Sequence, residues 1–296
     1  MSRMIPRREK LHLIFLLPST ALLVLVGLIP IFPVIGYTLY EMSAYVPVTY
    51  YVGLKNFKVA LTDPNIQYSF GVTFFFTVLS LVIQIPVGLL IALLMISPFR
   101  GRELFQVIFI LPLAIPPIAI GLAWQLLIFP ELGPIQYYIL KGIFGIDYNY
   151  LHDFWSAMAA ILVATTWRWI PFISLGLVPG LMAIPPDMID AAKVDGATYW
   201  RIFRSIILPM LKFPLMLVIF IRIMDCIGVF DEAWMLTQGG PGWSTRFISI
   251  EIVKKVIGES NFSLSAAETL ITLYIAILLC WIILTIMRKG KLAEVK

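Results

Sequence analysis

Long hydrophobic runs separated by short polar segments dominate the pattern along this chain. The first run, from Leu11 to Tyr40, contains no Asp, Glu, Lys or Arg over 30 residues. A helix needs about 20 apolar residues to cross the hydrocarbon core of a bilayer. Runs this long exclude membrane-barrel strands, which alternate in polarity over about 10 residues. The pattern predicts six membrane helices, at about 11–40, 70–96, 104–129, 154–180, 213–236 and 264–287.

Composition supports an integral membrane protein. The chain has 296 residues, of which 60% are hydrophobic and 13% charged, and its mean hydropathy is +0.93. Soluble domains carry about 25% charged residues. We expect an all-α fold, with a single transmembrane domain over residues 1–296. The apolar core of a signal peptide is only about 7–15 residues long, so we interpret the first run as a retained span.

The distribution of Lys and Arg predicts the orientation of the chain. If the N-terminus is inside, the inner segments hold fourteen Lys and Arg residues and the outer segments hold six. Inner loops of membrane proteins carry the excess of positive charge. We therefore expect both termini in the cytoplasm. Because the basic residues flank the spans, the net charge of +5 does not indicate a nucleic-acid partner.

The third hydrophobic run contains prolines that a simple span lacks. Pro112, Pro116 and Pro117 lie in the third run. Proline removes a backbone hydrogen bond and kinks a helix, and membrane proteins tolerate such breaks where protein or a water-filled cavity covers the freed groups. We expect a bent helix near a pathway. In the outer loops 41–69 and 130–153, we expect small helices.

A polar segment at 183–212 separates the fourth run from the fifth. Pro186 suits the first turn of a helix, and Gly196 suits the left-handed conformation that ends one. Thr198 can cap a second helix, and Pro209 is expected to end it at about residue 207. The segment therefore predicts two short helices joined by a glycine bend on the cytoplasmic side.

Two interpretations of this hairpin follow from its residues. Ala191, Ala192 and Ala197 have small side chains, so the surface of another protein can approach closely. Alternatively, the hairpin is a loop at the lipid headgroups, where Arg201 and Arg204 pair with phosphates. The residue types alone leave both interpretations open.

The hairpin also carries a recognisable motif. Asp190-Ala191-Ala192, then Gly196, Ile206 and Leu208-Pro209, resembles the signature cytoplasmic loop of permease subunits of type I ATP-binding-cassette importers. The family commonly has Glu at the first position, where this chain has the shorter Asp190. The resemblance implies a coupling helix that sits in a cleft on an ATPase subunit. The residues to which it assigns this coupling are Asp190, Ala191, Ala192, Asp195, Gly196, Ala197, Leu208 and Pro209.

Three further motifs extend the resemblance from about residue 10 to 287. Gly53-Leu54-Lys55-Asn56-Phe57 and the stretch from Leu111-Pro112 to Trp124 are similar to segments of sugar permeases. Leu236-Thr237-Gln238-Gly239-Gly240-Pro241 is similar to the motif that follows the fifth core helix of those proteins. These motifs favour the carbohydrate branch, in which the partner permease has a separate gene.

The resemblance implies an assembly in a prokaryotic plasma (inner) membrane. Its expected partners are a second homologous permease subunit, an ABC ATPase dimer and an extracytoplasmic solute-binding protein. ATP and Mg belong on the ATPase, since this chain lacks the phosphate-binding loop that a nucleotide site needs. We therefore expect a transport subunit that is not an enzyme and binds no cofactor. The expected solute is a sugar or glycoside.

Charged residues within the hydrophobic runs form a second candidate site. Arg168 lies in the fourth run, and Arg222 and Asp225 lie three residues apart in the fifth. Such residues are costly in lipid and usually face the bundle interior or water. A sugar site needs hydrogen-bonding groups beside aromatic rings. The candidate path residues, on shared helix faces, are Arg168, Trp169, Phe172, Arg222, Asp225, Cys226 and Val229.

A structural interpretation of these charges is equally open, because a buried ion pair can simply fix the register of two helices. Arg222 and Asp225 can pair within their helix, with Arg168 or with a partner subunit. His12 and His152 are far apart and indicate no metal site, and Cys226 and Cys280 match no zinc or redox spacing.

Other classes of protein fit the sequence less well. An ion-coupled secondary transporter usually shows Gly- or Pro-broken spans repeated in two halves, and a non-transporting scaffold would use the hairpin only to dock a partner. An ABC importer for a non-sugar solute remains an alternative, because the hairpin motif belongs to ABC importers in general.

Overall fold

The computed structural model describes residues 7–43 and 46–293, and the chain there is almost entirely helical. The α-helices are α1 (Arg7–Leu23), α2 (Ile31–Leu39), α3 (Lys55–Thr62), α4 (Pro64–Ile96), α5 (Arg102–Ala114), α6 (Pro117–Leu127), α7 (Phe154–Met182), α8 (Pro186–Val194), α9 (Tyr199–Ile202), α10 (Leu208–Met210), α11 (Lys212–Ile227), α12 (Asp231–Thr237), α13 (Ile248–Val253) and α14 (Phe262–Ala293). Four π-helical turns join or extend them, at Val24–Leu28, Ile135–Lys141, Phe203–Ile207 and Lys254–Gly258.

Several of these helices are long and apolar enough to cross a membrane. Within the described part of the chain, four single stretches qualify: Phe15–Leu39, Pro64–Ile96, Phe154–Met182 and Phe262–Thr285. Two bent pairs raise the number to six if each pair crosses once. The predicted all-α class is confirmed. The second span begins at Pro64, six residues before the predicted start at 70.

The chain divides into two compact units, which we describe separately. The first comprises Met1–Asp63 and Ile252–Leu273, and the second comprises Pro64–Glu251 and Tyr274–Lys296. The prediction of a single transmembrane domain over 1–296 stays a prediction.

The first unit contains the one departure from all-α structure among the described residues. Two antiparallel strands, β1 (Tyr40–Ser43) and β2 (Val46–Tyr51), pair in the register Tyr40 to Tyr51 and Glu41 to Tyr50. Small helices were predicted in the loop 41–69; α3 forms there, and the two strands were not predicted. The sequence Val-Pro-Val-Thr-Tyr-Tyr is rich in β-branched and aromatic residues, which favour a strand.

In the second unit, α4 packs closely along α7. Gly88 of α4 lies directly against the side chain of Ile173, and any larger residue would collide with it. The Ser174 hydroxyl donates a hydrogen bond to the carbonyl of Gly88 at 3.0 Å. Small residues permit this close approach of two membrane helices. The α4–α7 pair thereby fixes the scaffold on which the intramembrane charges lie.

The start of α7 is fixed by a capping box. The carboxylate of Asp153 accepts a hydrogen bond from the backbone N–H of Ser156 at 2.9 Å, and the Ser156 hydroxyl reaches back to the backbone of Asp153. The bond from Ser156, followed by the contact with His152, holds the pKa of Asp153 below its usual value. Nearby, burial raises the pKa of Tyr148 to about 12.

The predicted bend in the third run is confirmed, and it is a sharp one. Helices α5 and α6 meet at 102°. Ile115 and Pro116 both have extended backbone conformations, with ψ of 131° and 138°. Each of them precedes a proline, and the proline ring excludes the preceding residue from the helical region. Two consecutive prolines therefore break the helix completely.

The fifth run was predicted as one helix over 213–236, which is wrong. Helix α11 ends at Ile227, residues 228–230 are not helical, and α12 begins at Asp231. Gly228 lies at the break, and glycine is the weakest helix former after proline. The hydroxyl of Ser249 donates to the carbonyl of Val229, which gives the interrupted backbone a tertiary partner.

Helix α12 packs on α6 through another glycine. A side chain at Gly121 would lie 2.7 Å from Cβ of Met235 and 3.0 Å from Cα of Glu232. Atoms at these distances would force the two backbones apart. This contact sets the position of Glu232 relative to the rest of the unit.

Candidate functional sites: an exposed hairpin and a buried charge network

The polar segment 183–212 folds into the predicted pair of short helices. Helix α8 begins with Pro186 in its first turn, as predicted. Gly196 has φ +76°, and the N–H of Ala197 donates to the carbonyl of Ala192 at 2.9 Å. This is the Schellman closure that a left-handed glycine permits. The hydroxyl of Thr198 accepts from the N–H of Arg201 at 3.4 Å and caps the second helix.

The end of the second helix differs from the prediction. Pro209 does not end it, because helical structure continues to Met210 and then bends by 69° into α11. The turn Phe203–Ile207, immediately before Pro209, is π-helical. A π turn widens the helix and shifts its hydrogen bonds by one residue. The wider turn accommodates a residue that has no N–H.

The apolar side chains at the tip of the hairpin are unusually exposed. Val194 is 88% exposed and Tyr199 87%, and none of the residues of α8 is buried. Asp190 pairs with Lys193 in the same helix at 2.8 Å, which raises the pKa of Lys193. A cavity of about 200 Å³ lies between the two arms, lined by Ala192, Asp195, Ala197, Arg201, Ile202, Ser205 and Ile206. The hairpin therefore presents a partly apolar surface with a recess.

The intramembrane charges form one connected network. Arg168 of α7 contacts Asp225 at 3.4 Å and also pairs through Nε with Glu232. Asp225 pairs in turn with Arg222, one turn earlier in α11. Arg168 therefore bridges α11 and α12 across the break in the fifth run.

Polar and aromatic groups complete the network. Nε of Arg222 donates to the side-chain oxygen of Gln84 at 2.6 Å, and Gln84 donates to the hydroxyl of Thr166 at 3.0 Å. The guanidinium carbons of Arg168 and Arg222 each lie 4.8 Å from the centre of the Trp169 ring. A cation at this distance from the face of an indole ring is attracted by it.

Five of the seven predicted path residues come together here. Arg168 and Arg222 each contact both Asp225 and Trp169, and the ring of Phe172 lies 5.1 Å from that of Trp169. The other two make no ion pair with this group: Cys226, which follows Asp225, and Val229 both pack into an apolar cluster. Val229 lies beyond the end of α11, so the helical spacing assumed for it does not apply.

Sequence reasoning missed Gln84 and Glu232 as members of this network. Gln84 is an amide in the middle of a long apolar run, and that isolation was its only signal. Glu232 lies near the C-terminal end of the fifth run, and its pairing with Arg168 depends on the helix break. Among the residues that the structure describes, no group of His, Cys, Asp and Glu is arranged to hold a metal ion.

A multi-pass helical chain with an exposed polar hairpin and a polar network between its spans has the features of a membrane transport subunit. The sequence matches, over residues 84–289, the family described as binding-protein-dependent transport system inner membrane component. The chain belongs to this family. Membership sets aside the ion-coupled transporter and the scaffold considered above.

Curated relatives extend over most of the chain. It is 33% identical over 245 residues to the trehalose/maltose transport system permease protein MalF of Thermococcus litoralis, covering 82% of each chain. It is 31% identical over 233 residues to the sn-glycerol-3-phosphate transport system permease protein UgpA of Brucella abortus, covering 77% of this chain and 78% of the relative.

A solved structure has the same fold. The chain aligns, with a TM-score of 0.81, with a chain of a bacterial alginate ABC transporter in complex with an alginate pentasaccharide-bound periplasmic protein. The alignment covers 96% of each chain at 20% sequence identity, so the two chains share a fold.

Proposed function

We propose that this chain is one permease subunit of a heterodimeric, ATP-driven importer that moves a sugar or related polyhydroxy solute into the cytoplasm. The exposed hairpin around Gly196 carries this proposal. Val194, Tyr199 and Trp200 are all exposed at the tip of the hairpin, and an apolar patch of this kind marks an interaction site. A partner ATPase dimer, which would hold ATP and Mg, is the occupant that we assign to this surface.

The alanines and the glycine of the hairpin explain why such a partner can dock closely. Ala191 is exposed and Ala192 is half-buried, on a helix in which no residue is fully buried. Side chains this small allow a facing helix or cleft to reach the backbone. Asp190, Asp195, Leu208 and Pro209, with Gly196 and Ala197, complete the proposed coupling segment.

The solute is assigned from the charge network and from the relatives. Arg168, Asp225 and Glu232 supply charged hydrogen-bonding groups, and Trp169 and Phe172 supply aromatic faces. Sugars present hydroxyl edges and apolar C–H faces, which match this combination. Relatives named for trehalose and maltose transport support a carbohydrate or polyol.

The mechanism is alternating access between two states of a pair of permeases. A binding protein delivers solute at the outer face, as the complex of the alginate transporter suggests. Closure of the ATPase dimer moves the two hairpins, and each hairpin pulls on the membrane helices that flank it. The bends at 115–116 and at Leu211 are points at which such a movement can be absorbed. Both termini are proposed to lie in the cytoplasm.

Site-directed cross-linking tests the docking of the hairpin. Ala192→Cys and Ala197→Cys, in the assembled importer, are expected to cross-link to cysteines placed along the ATPase cleft. Gly145→Cys, in the loop 130–153, is the matched control and is expected to give no cross-link. The native Cys226 and Cys280 are buried and leave a low background. Active importer without any hairpin cross-link would contradict the proposal.

A further inference from the structure

The charge network is electrically balanced. It contains two guanidinium groups, those of Arg168 and Arg222, and two carboxylates, those of Asp225 and Glu232. Each guanidinium also lies against the ring of Trp169. The two charges of each sign cancel, so the network carries no net positive charge.

Accessibility differs strongly among the four charged side chains. Arg222 is 0% exposed and Glu232 is 2% exposed, whereas Arg168 is 12% and Asp225 is 25% exposed. Nη2 of Arg222 has no hydrogen-bond partner, and Nε of Arg168 faces the Glu232 carboxylate only as an ion pair, but both nitrogens are buried and a solute does not reach them. The most accessible charge of the network is therefore the carboxylate of Asp225.

We infer that this network selects an uncharged solute over an anionic one, with Asp225 as the specificity-determining residue. The inference rests on the proposed function, since it concerns the solute that the importer carries. A carboxylate accepts hydrogen bonds from the hydroxyl groups of a neutral sugar. It repels a phosphate or carboxylate on a solute, and in a partly desolvated site that repulsion exceeds its value in water.

The relatives leave this question open, because their names cover both kinds of solute. Trehalose and maltose are uncharged, whereas sn-glycerol 3-phosphate is an anion. The arrangement of charges in this chain decides between them. A path built for an anion would leave a guanidinium or ammonium group accessible and unpaired, which is the opposite of what this network presents.

Uptake by the reconstituted importer, with its partner permease, ATPase and binding protein, tests the inference. The probes are neutral and anionic pairs: trehalose with trehalose 6-phosphate, and glycerol with sn-glycerol 3-phosphate. The neutral member is expected to enter at least about tenfold faster. Import of the anionic member as fast as the neutral one would overturn the inference and leave the proposed function standing. Failure to import any neutral or anionic polyol would overturn both.

Variants separate the contribution of this chain from that of the binding protein. Asp225→Asn leaves the network with a net positive charge and is expected to raise the ratio of anionic to neutral uptake by about tenfold. Asp225→Glu keeps the charge and should keep the wild-type ratio. The matched control is Asp231→Asn. Asp231 precedes Glu232 but forms no ion pair with the network, so this variant should keep the wild-type ratio. An unchanged ratio in Asp225→Asn, with the complex assembled, would contradict the inference.

Discussion

Arg168 is the residue on which the intramembrane site depends most. It reaches Asp225 on α11 and Glu232 on α12, and it lies against the ring of Trp169. A buried ion pair contributes little net stability, because desolvation offsets the attraction between the charges. Removing one partner is costly, however, since the remaining charge stays buried without compensation. The Arg168 network is therefore expected to behave as a unit.

Replacing Arg168 tests this dependence. Arg168→Met leaves Glu232 buried without its partner, and we expect a loss of about 3–5 kcal/mol in stability. The measurement is the unfolding transition of the purified complex in detergent. Arg100→Met, in an exposed loop, is the control and should change little. The double variant Arg168→Met, Glu232→Leu removes both charges and should recover part of the loss; equal instability of the single and double variants would contradict the pairing.

At the scale of residues, the sequence identified the charged residues within apolar runs and missed the other members of the network. Arg168, Arg222 and Asp225 stand out because charges are rare within apolar runs. Gln84 and Glu232 also contact the arginines of the network, yet an amide within a span and an acid near a span end carry no comparable signal. Val229 was misplaced because helical spacing was extended through Gly228, where the helix has already ended.

At the scale of elements, the positions at which helices break or bend shape the candidate sites more than the lengths of the helices do. Two of the hydrophobic runs are divided, one at the paired prolines after Ile115 and one at Gly228. The hairpin is divided by Gly196, whose positive φ is unfavourable for a residue with a side chain. A β-carbon at Gly196 would meet no atom within 4 Å, so only the backbone conformation restricts this position.

Variants at two glycines distinguish the effect of backbone strain from the loss of coupling between ATP hydrolysis and transport. Gly196→Val is expected to cost about 1–2 kcal/mol locally and to reduce ATP-driven uptake severalfold, because a β-branched residue resists the left-handed conformation. Gly145 also has positive φ and open surroundings, in the loop 130–153. Gly145→Val should cause similar strain without affecting coupling. Equal uptake by the two variants would show that the Gly196 bend is not needed for transport.

At the scale of the whole molecule, this chain alone leaves much apolar surface uncovered. The most apolar stretch of Phe15–Leu39 has no buried residue. Exposed apolar surface of this extent requires lipid or another protein. The excess of Lys and Arg in the predicted inner segments sets the expected orientation of the chain in the bilayer.

Labelling with a membrane-impermeant maleimide tests that orientation. Gly196→Cys is expected to react only in inverted vesicles, and Gly145→Cys only in intact cells or right-side-out vesicles. The native Cys226 and Cys280 are buried and serve as the internal background. Labelling of both positions from the same side would contradict the predicted topology.

The sequence by itself determined the all-α membrane class, most of the long helices, and the hairpin with its glycine bend. These features depend on local composition and backbone preference, which can be read residue by residue. Only the tertiary structure decided how the charges pair, where the fifth run breaks and which charge is accessible. Those properties depend on contacts such as Arg168 with Glu232, which lie far apart in sequence and form only when α7, α11 and α12 have packed.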